Sequence, residues 1–129
     1  MRISKLQELL SDKGIDGVII NDKYNMRYYT SYTGGTGYVV ISSDNIYIVT
    51  DSRYIEQAGI ECPKATCIDV ANTGYPKLIA GICEDEHIKT LGFEDDSIGY
   101  SQFVKLEKAL EGIELSPSGE LIKSVRQIK

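Results

Sequence analysis

Short apolar runs rich in Val, Ile and Tyr, set between segments whose apolar residues recur at helical spacing, constrain this chain more than any other feature of its sequence. Gly17-Val18-Ile19-Ile20 reads as a short buried strand. Tyr38-Val39-Val40-Ile41 and Ile46-Tyr47-Ile48-Val49 flank Ser42-Ser43-Asp44-Asn45, which predicts a β-hairpin across a four-residue turn. Thr66 to Val70, Ile88 to Phe93 and Ile113 to Leu115 supply three further strands. Between them, Ile3, Leu6, Leu9 and Leu10 predict a first helix that Gly14 stops. Asn21-Asp22 offers cap chemistry for a short helical segment carrying Tyr24, Met26, Arg27 and Tyr28. Tyr54, Gln57 and Ala58 predict a helix beginning near Asp51 and broken before Pro63. Leu78, Ile79 and Ile82 suit a helix that Pro76 helps to start, and Tyr100, Phe103, Leu106 and Leu110 one that ends at Gly112. A final helix starts at about Ser118.

Strands alternating with helices, apart from one hairpin, predict an α/β three-layer sandwich with a mixed β-sheet and helices on both faces. At 129 residues, with no internal repeat, low-complexity tract or linker, the expectation is one domain over 1–129. A net charge of -5 argues against a nucleic-acid partner, which calls for a clustered basic surface. Lys123, Arg126 and Lys129 instead sit where they would complement the dipole of the last helix. No apolar run approaches the roughly 18 residues that span a bilayer. The opening MRISKLQELLSDKG is amphipathic and carries Glu8 and Asp12, unlike a signal peptide, so no membrane role and a cytoplasmic location are expected. Cys62, Cys67 and Cys83 are odd in number and form no C-x-x-C, which suits reduced, structural thiols.

The stretch from Tyr28 to Ile41, YYTSYTGGTGYVVI, is the most unusual in the chain. Ser31-x-Thr33-Gly34-x-Thr36 has the hydroxyls and glycines with which flavodoxins hold the phosphate of FMN. A flavin loop should follow the first strand directly and open a helix, however, whereas here a helical segment intervenes and Gly37 leads into a strand. No lysine follows the glycines and no G-x-G-x-x-G occurs, so the stretch is no nucleotide loop either. Glu84-Asp85-Glu86-His87 reads as a solvated helix end and Glu94-Asp95-Asp96 as a loop with capping carboxylates. With a single histidine there is no His-rich metal site, and no serine or cysteine has an evident histidine partner. No catalytic residue and no metal ligand is assigned.

Taken in order, several segments resemble the N-terminal domain of the creatinase/aminopeptidase P/prolidase family. Asn25-Met26-Arg27-Tyr28-Tyr29-Thr30-Ser31-Tyr32-Thr33-Gly34 is similar to that family's N-I-R-Y-L-T-G-F-T-G stretch. Thr36-Gly37 then enters a strand, and Thr50-Asp51-Ser52-Arg53-Tyr54 with Gln57-Ala58 resembles T-D-x-R-Y-x-x-Q-A. Leu91-Gly92-Phe93-Glu94 resembles L-G-F-E, and Val125-Arg126-Gln127-Ile128-Lys129 the L-R-x-I-K junction before the catalytic domain. Ser31 stands where the family usually has glycine; either the backbone differs there or it needs no positive φ.

The resemblance implies the creatinase/prolidase N-terminal fold and a domain that is itself non-catalytic. The family's Xaa-Pro peptidases use two divalent metal ions, Mn²⁺, Co²⁺ or Zn²⁺, held in a C-terminal "pita-bread" domain. That domain is expected beyond residue 129 and no cofactor is expected within this chain. The implied partners are the protein's own catalytic domain, a second subunit in a homodimer, and short proline-containing peptides as substrates of the whole enzyme. The implied roles are oligomerisation and gating of the catalytic cleft. Arg27, Tyr28, Tyr29 and Tyr32, with Thr33, Gly34, Gly35, Thr36 and Gly37, would then lie at or near the face turned toward the catalytic domains. From the residues alone, the tyrosines suit a core and the glycines a simple change of direction equally well. Asp51 and Arg53 suit a structural pair steadying the hairpin and the next helix. A stand-alone module that binds peptides or proteins is the alternative to the gating domain.

Overall fold

The computed structural model describes residues 2–127, so Lys129 lies outside the described residues. The element order is α1 (Arg2–Asp12), β1 (Gly17–Ile20), α2 (Lys23–Thr30), β2 (Tyr38–Ser42), β3 (Ile46–Thr50), α3 (Ile55–Glu61), β4 (Thr66–Asp69), α4 (Tyr75–Asp85), β5 (Thr90–Phe93), α5 (Tyr100–Ala109), β6 (Glu114–Pro117) and α6 (Gly119–Arg126). One six-stranded sheet runs β4-β3-β2-β1-β5-β6. Strand β2 is antiparallel to both its neighbours and the other pairings are parallel. This is the mixed sheet expected, with the hairpin β2–β3 at its heart.

Side chains alternate across a strand, so each central strand feeds two cores. Val18, Ile20, Val39, Ile41 and Ile48 pack with Leu6, Leu10, Met26, Ala58 and Ile122, which places α1, α2, α3 and α6 on one face. Ile19, Val40 and Val49 pack with Ile79, Ile82, Leu106 and Leu110, which places α4 and α5 on the other. Strand β1 is buried along its whole length, and its unbroken apolar run reflects that central position.

Several boundaries differ from the sequence reading, each for a local reason. Helix α3 starts at Ile55 rather than near Asp51. The Asp51 carbonyl accepts from the N–H of Tyr54 (3.0 Å) and Ile55 (3.1 Å), and its carboxylate accepts from the N–H of Arg53 (3.0 Å), so residues 52–54 form a turn. Strand β5 starts at Thr90, because the N–H groups of Lys89 and Thr90 are held by the Asp16 carboxylate at 2.9 and 3.0 Å. Strand β6 starts at Glu114 and reaches Pro117, which an edge strand tolerates. Strand β4 ends at Asp69, one residue before Val70. Tyr100 shares the helical spacing of α5 but is 84% exposed and packs in neither core. Lys123 and Arg126 do stand in the last turn of α6.

Cys62 and Cys83 are buried and Cys67 half-buried, all as free thiols. Burial pushes the Cys83 thiol up to about 11, which keeps it protonated and unreactive near neutral pH. The acidic run at the end of α4 is only partly solvated. Glu84 and Asp85 are exposed, but Glu86 is half-buried and accepts from the Tyr47 hydroxyl and, at 2.9 Å, from Asn45 Nδ2. That bond, ahead of burial, pushes the Tyr47 phenol up to about 12. Glu86 thus ties the hairpin to α4.

Ser31 closes α2 in the left-handed region, at φ 68°, and its N–H donates to the Arg27 carbonyl at 2.8 Å. The position therefore needs the positive φ that glycine adopts without a Cβ penalty. Ser31→Gly is expected to stabilise the domain by about 0.5–1 kcal/mol, a rise of roughly 2–4 °C in a thermal melt. An unchanged or lower Tm would show that the serine side chain contributes something the backbone geometry does not reveal.

Candidate functional site: the carboxyl edge of the sheet

Because β2 alone runs against the others, the carboxyl ends of β1, β3, β4, β5 and β6 meet the start of β2 at one edge of the sheet. The segment Ser31–Gly37 crosses this edge between α2 and β2. It opens a strand and not a helix, so the phosphate-cradle geometry of a flavin loop is missing.

The structure divides the nine residues singled out in the sequence among three settings. Tyr29 and Tyr32 are core residues and offer no surface to a neighbour. Tyr32 is fully buried, and its hydroxyl donates to the Thr36 carbonyl at 2.8 Å and lies 3.0 Å from Thr50 Oγ1. Tyr29 donates to the Ile122 carbonyl at 2.6 Å. Burial raises both phenol pKa values. Gly34 lies against the Tyr32 ring, where an added Cβ would fall 2.4 Å from the hydroxyl. Arg27, Tyr28 and Thr33 line a groove of about 540 Å³ together with Arg2, Tyr24 and Arg126. Gly35, Thr36 and Gly37 line a second crevice of about 420 Å³ with Tyr38, Tyr75 and Lys105. The loop runs from one to the other, and among the described residues the N–H groups of Gly34, Gly35 and Thr36 find no protein acceptor.

The sequence segments that stood out are hydrogen-bonded to one another. Asn25 Nδ2 donates to Glu94 Oε2 at 2.5 Å, and Asn25 Oδ1 accepts from Arg126 Nη1 at 2.6 Å. The N–H groups of Asn21 (2.5 Å) and Asp22 (2.8 Å) donate to Glu94 Oε1, so this carboxylate, just past the end of β5, holds the backbone that leads into α2, whose N-cap is Asp22. Glu94 is fully buried, and burial pushes its pKa above the ordinary carboxylate range against the pull of these donors. Thr33 donates through its N–H and its hydroxyl to the Glu61 carboxylate at 2.8 and 2.7 Å, and Gln57 Nε2 donates to Thr33 Oγ1 at 2.8 Å. The Thr33 hydroxyl, chief among these bonds, holds the Glu61 carboxyl below its usual range.

Arg53 grips Asp51 through Nη2 at 2.7 Å and Nε at 3.2 Å. Its side chain is 71% exposed, so the pair shapes the turn and adds little stability. The bond from Arg53 holds the Asp51 carboxyl low. Reading the sequence missed Glu94 as a buried hub, Glu61 as the anchor of Thr33, and Arg2 as a neighbour of Arg27. Of the Glu94-Asp95-Asp96 run, Asp95 does cap α6, accepting from the Gly119 N–H at 2.9 Å, and Asp96 pairs with Lys123.

Against known proteins, the model of the creatinase/prolidase N-terminal domain matches residues 2–128. The chain belongs to the creatinase/prolidase N-terminal domain family. It is 35% identical over 129 residues to the uncharacterized peptidase YqhT of Bacillus subtilis (strain 168), a match covering all of this chain and 36% of that protein. It is 26% identical over 106 residues to a putative Xaa-Pro aminopeptidase of Mycoplasma pneumoniae, 81% of this chain and 29% of that one. Among solved structures, an Xaa-Pro dipeptidase from Bacillus anthracis superposes with a TM-score of 0.91 at 30% identity, over 99% of this chain and 36% of that chain. The N-terminal domain of the cytoplasmic peptidase PepQ from Mycobacterium tuberculosis H37Rv does so with a TM-score of 0.86 at 27% identity, over 97% and 98%.

The chain thus spans about a third of the length of the curated relatives it matches. For a creatinase/prolidase N-terminal domain, the network through Asn25, Glu94 and Arg126 has a clear structural sense. It joins three of the segments that carry the resemblance, running from the buried Glu94 and Asn25 out to the exposed Arg126. Among the described residues no group of three or more His, Cys, Asp or Glu side chains could hold a metal ion. The donor set for a dinuclear centre does not assemble from these residues. Among the described residues, no helix is long and apolar enough to cross a membrane.

Proposed function

We propose that this chain serves as the oligomerisation and substrate-gating domain of a dinuclear-metal Xaa-Pro peptidase of the aminopeptidase P or prolidase type, and is itself non-catalytic. The observation that carries this reading is the family match over residues 2–128, joined to an exposed Gly-rich loop with free N–H donors at the carboxyl edge of the sheet. Open α/β sheets commonly present their ligand-contacting loops at that edge. The two metal ions, Mn²⁺, Co²⁺ or Zn²⁺, would sit in a further domain of the polypeptide and there activate water. In this reading the protein works in the cytoplasm as a homodimer on short proline-containing peptides. The Gly35–Gly37 segment would bound the cleft, of its own or of the partner subunit's catalytic domain.

The test uses a polypeptide carrying this domain together with the sequence that follows it in the native protein. That polypeptide is expected to hydrolyse Xaa-Pro peptides with a divalent metal, while residues 1–129 alone show no turnover. Gly35 offers a way to probe gating: a Cβ there meets only the Lys23 side chain, at 3.6 Å. Its φ of 72° strains any side chain, so Gly35→Asn is the control for that strain. Gly35→Phe should lower kcat/KM about fivefold or more for longer peptides and barely change it for dipeptides. An equal loss for both lengths would remove the gating role.

A further inference from the structure

The chain contains four arginines and carries a net charge of -5, yet three of the four, Arg2, Arg27 and Arg126, line one groove. They arrive from α1, α2 and α6, so the tertiary fold brings them together across the whole length of the sequence. Among the described residues none of the three forms an ion pair, whereas the fourth, Arg53, grips Asp51. Arg2 Nη1 donates to the Tyr28 carbonyl at 2.8 Å and its guanidinium stacks 4.4 Å from the centre of the Tyr28 ring. Arg126 is bonded to the neutral Asn25 amide, which stands between it and the buried Glu94 carboxylate. The Glu61 carboxylate near Arg27 accepts its bonds from Thr33. Tyr24, 62% exposed, adds an apolar wall. Three guanidiniums that line one groove, none with a carboxylate in salt-bridge contact among the described residues, leave it positively charged, and a partner that supplies carboxylates balances that charge.

We propose that this groove seats an acidic surface of the same polypeptide, supplied by the domain that follows α6. The inference rests on the reading above that a longer protein carries this domain. Arg126 closes α6 and lines the groove, which puts the end of the last helix at the groove's rim. Relatives extend to nearly three times the length of this chain, which provides ample surface to cover a groove of about 540 Å³. Arginine suits such a seat, because its planar fork meets carboxylates bidentately while its face stacks on tyrosine.

Arginine-selective labelling with phenylglyoxal, mapped by mass spectrometry, tests this directly. Residues 1–129 alone are a fair reference: helices cover both faces of the sheet without help, and the PepQ N-terminal domain was solved as a chain of matching extent. In the longer polypeptide at low salt, Arg2, Arg27 and Arg126 are expected to react about tenfold more slowly than in 1–129, with Arg53 equal in both. High salt should erase the difference. Arg27→Glu in the longer chain should restore fast labelling of Arg2 and Arg126, and Arg27→Lys should keep them protected. Equal rates in the two wild-type chains would overturn the proposal, and that comparison needs no variant to fold. Protection that appears in 1–129 itself and grows with its concentration would also overturn it, naming a second copy as the occupant. Peptide hydrolysis by the longer chain is scored separately. An inactive chain with a protected groove sinks the peptidase reading alone, and an active chain with an open groove sinks this inference alone.

Discussion

Gly37→Ala is expected to lower the stability of the domain by about 3 kcal/mol or more, as left-handed strain adds to a backbone overlap that cannot relax locally. Gly37 sits at φ 102°, and a Cβ there would fall 2.1 Å from the Val49 carbonyl oxygen and 3.1 Å from Thr50 Cα. Both neighbours are backbone atoms of β3, whose Val49 pairs with Tyr38 at the first step of the hairpin. Making room would push β2 off β3 in the middle of the sheet and disturb the Tyr32–Thr36–Thr50 cluster beside it. Urea unfolding followed by circular dichroism measures the change. A loss below about 1 kcal/mol would mean that the start of β2 has freedom this geometry denies it.

Glu94→Ala should be comparably damaging, at about 3–5 kcal/mol, because it strips a fully buried acceptor from three donors and leaves a cavity. The Asn21 and Asp22 N–H groups ahead of α2 lose their acceptor, and the Asn25 side chain keeps only its bond from Arg126. The pH dependence has a definite sign. The folded-state pKa of Glu94 lies above the unfolded one, so between the two values the folded chain holds the extra proton. Its contribution is therefore greatest at low pH and declines as pH rises through that window. The gap between wild type and variant should be wider at about pH 5 than at about pH 7. A gap that narrows on acidification would show that the donors, and not burial, govern this carboxylate.

The two experiments bear on different kinds of information in the chain. Positions such as Val39, Ile41 and Ile48 announce their role through short unbroken apolar runs, because a strand covered by helices on both faces buries side chains on both its sides. Local signals likewise made the Asp22 cap of α2, the Pro76 start of α4 and the turn between β2 and β3 readable. The tyrosines were harder. Tyr28 and Tyr32 differ little in sequence setting, yet one borders a groove and the other is fully buried. Both hydroxyls meet distant partners, the Val125 carbonyl for Tyr28 and Thr50 for Tyr32, so what separates them is how far the fold covers each ring. Glu94 looked like a loop carboxylate because its donors lie 69 to 73 residues away.

The sequence by itself determined the α/β class, the hairpin, the order of the elements and the family, since each depends on local spacing or on short ordered motifs. Only the tertiary structure decided that Tyr29 and Tyr32 are core, that Glu94 is a buried hub, and that three arginines share one groove. Local periodicity reports which face of an element is apolar. It cannot report which polar atoms of different elements will meet, because that depends on how six helices and six strands close around one another.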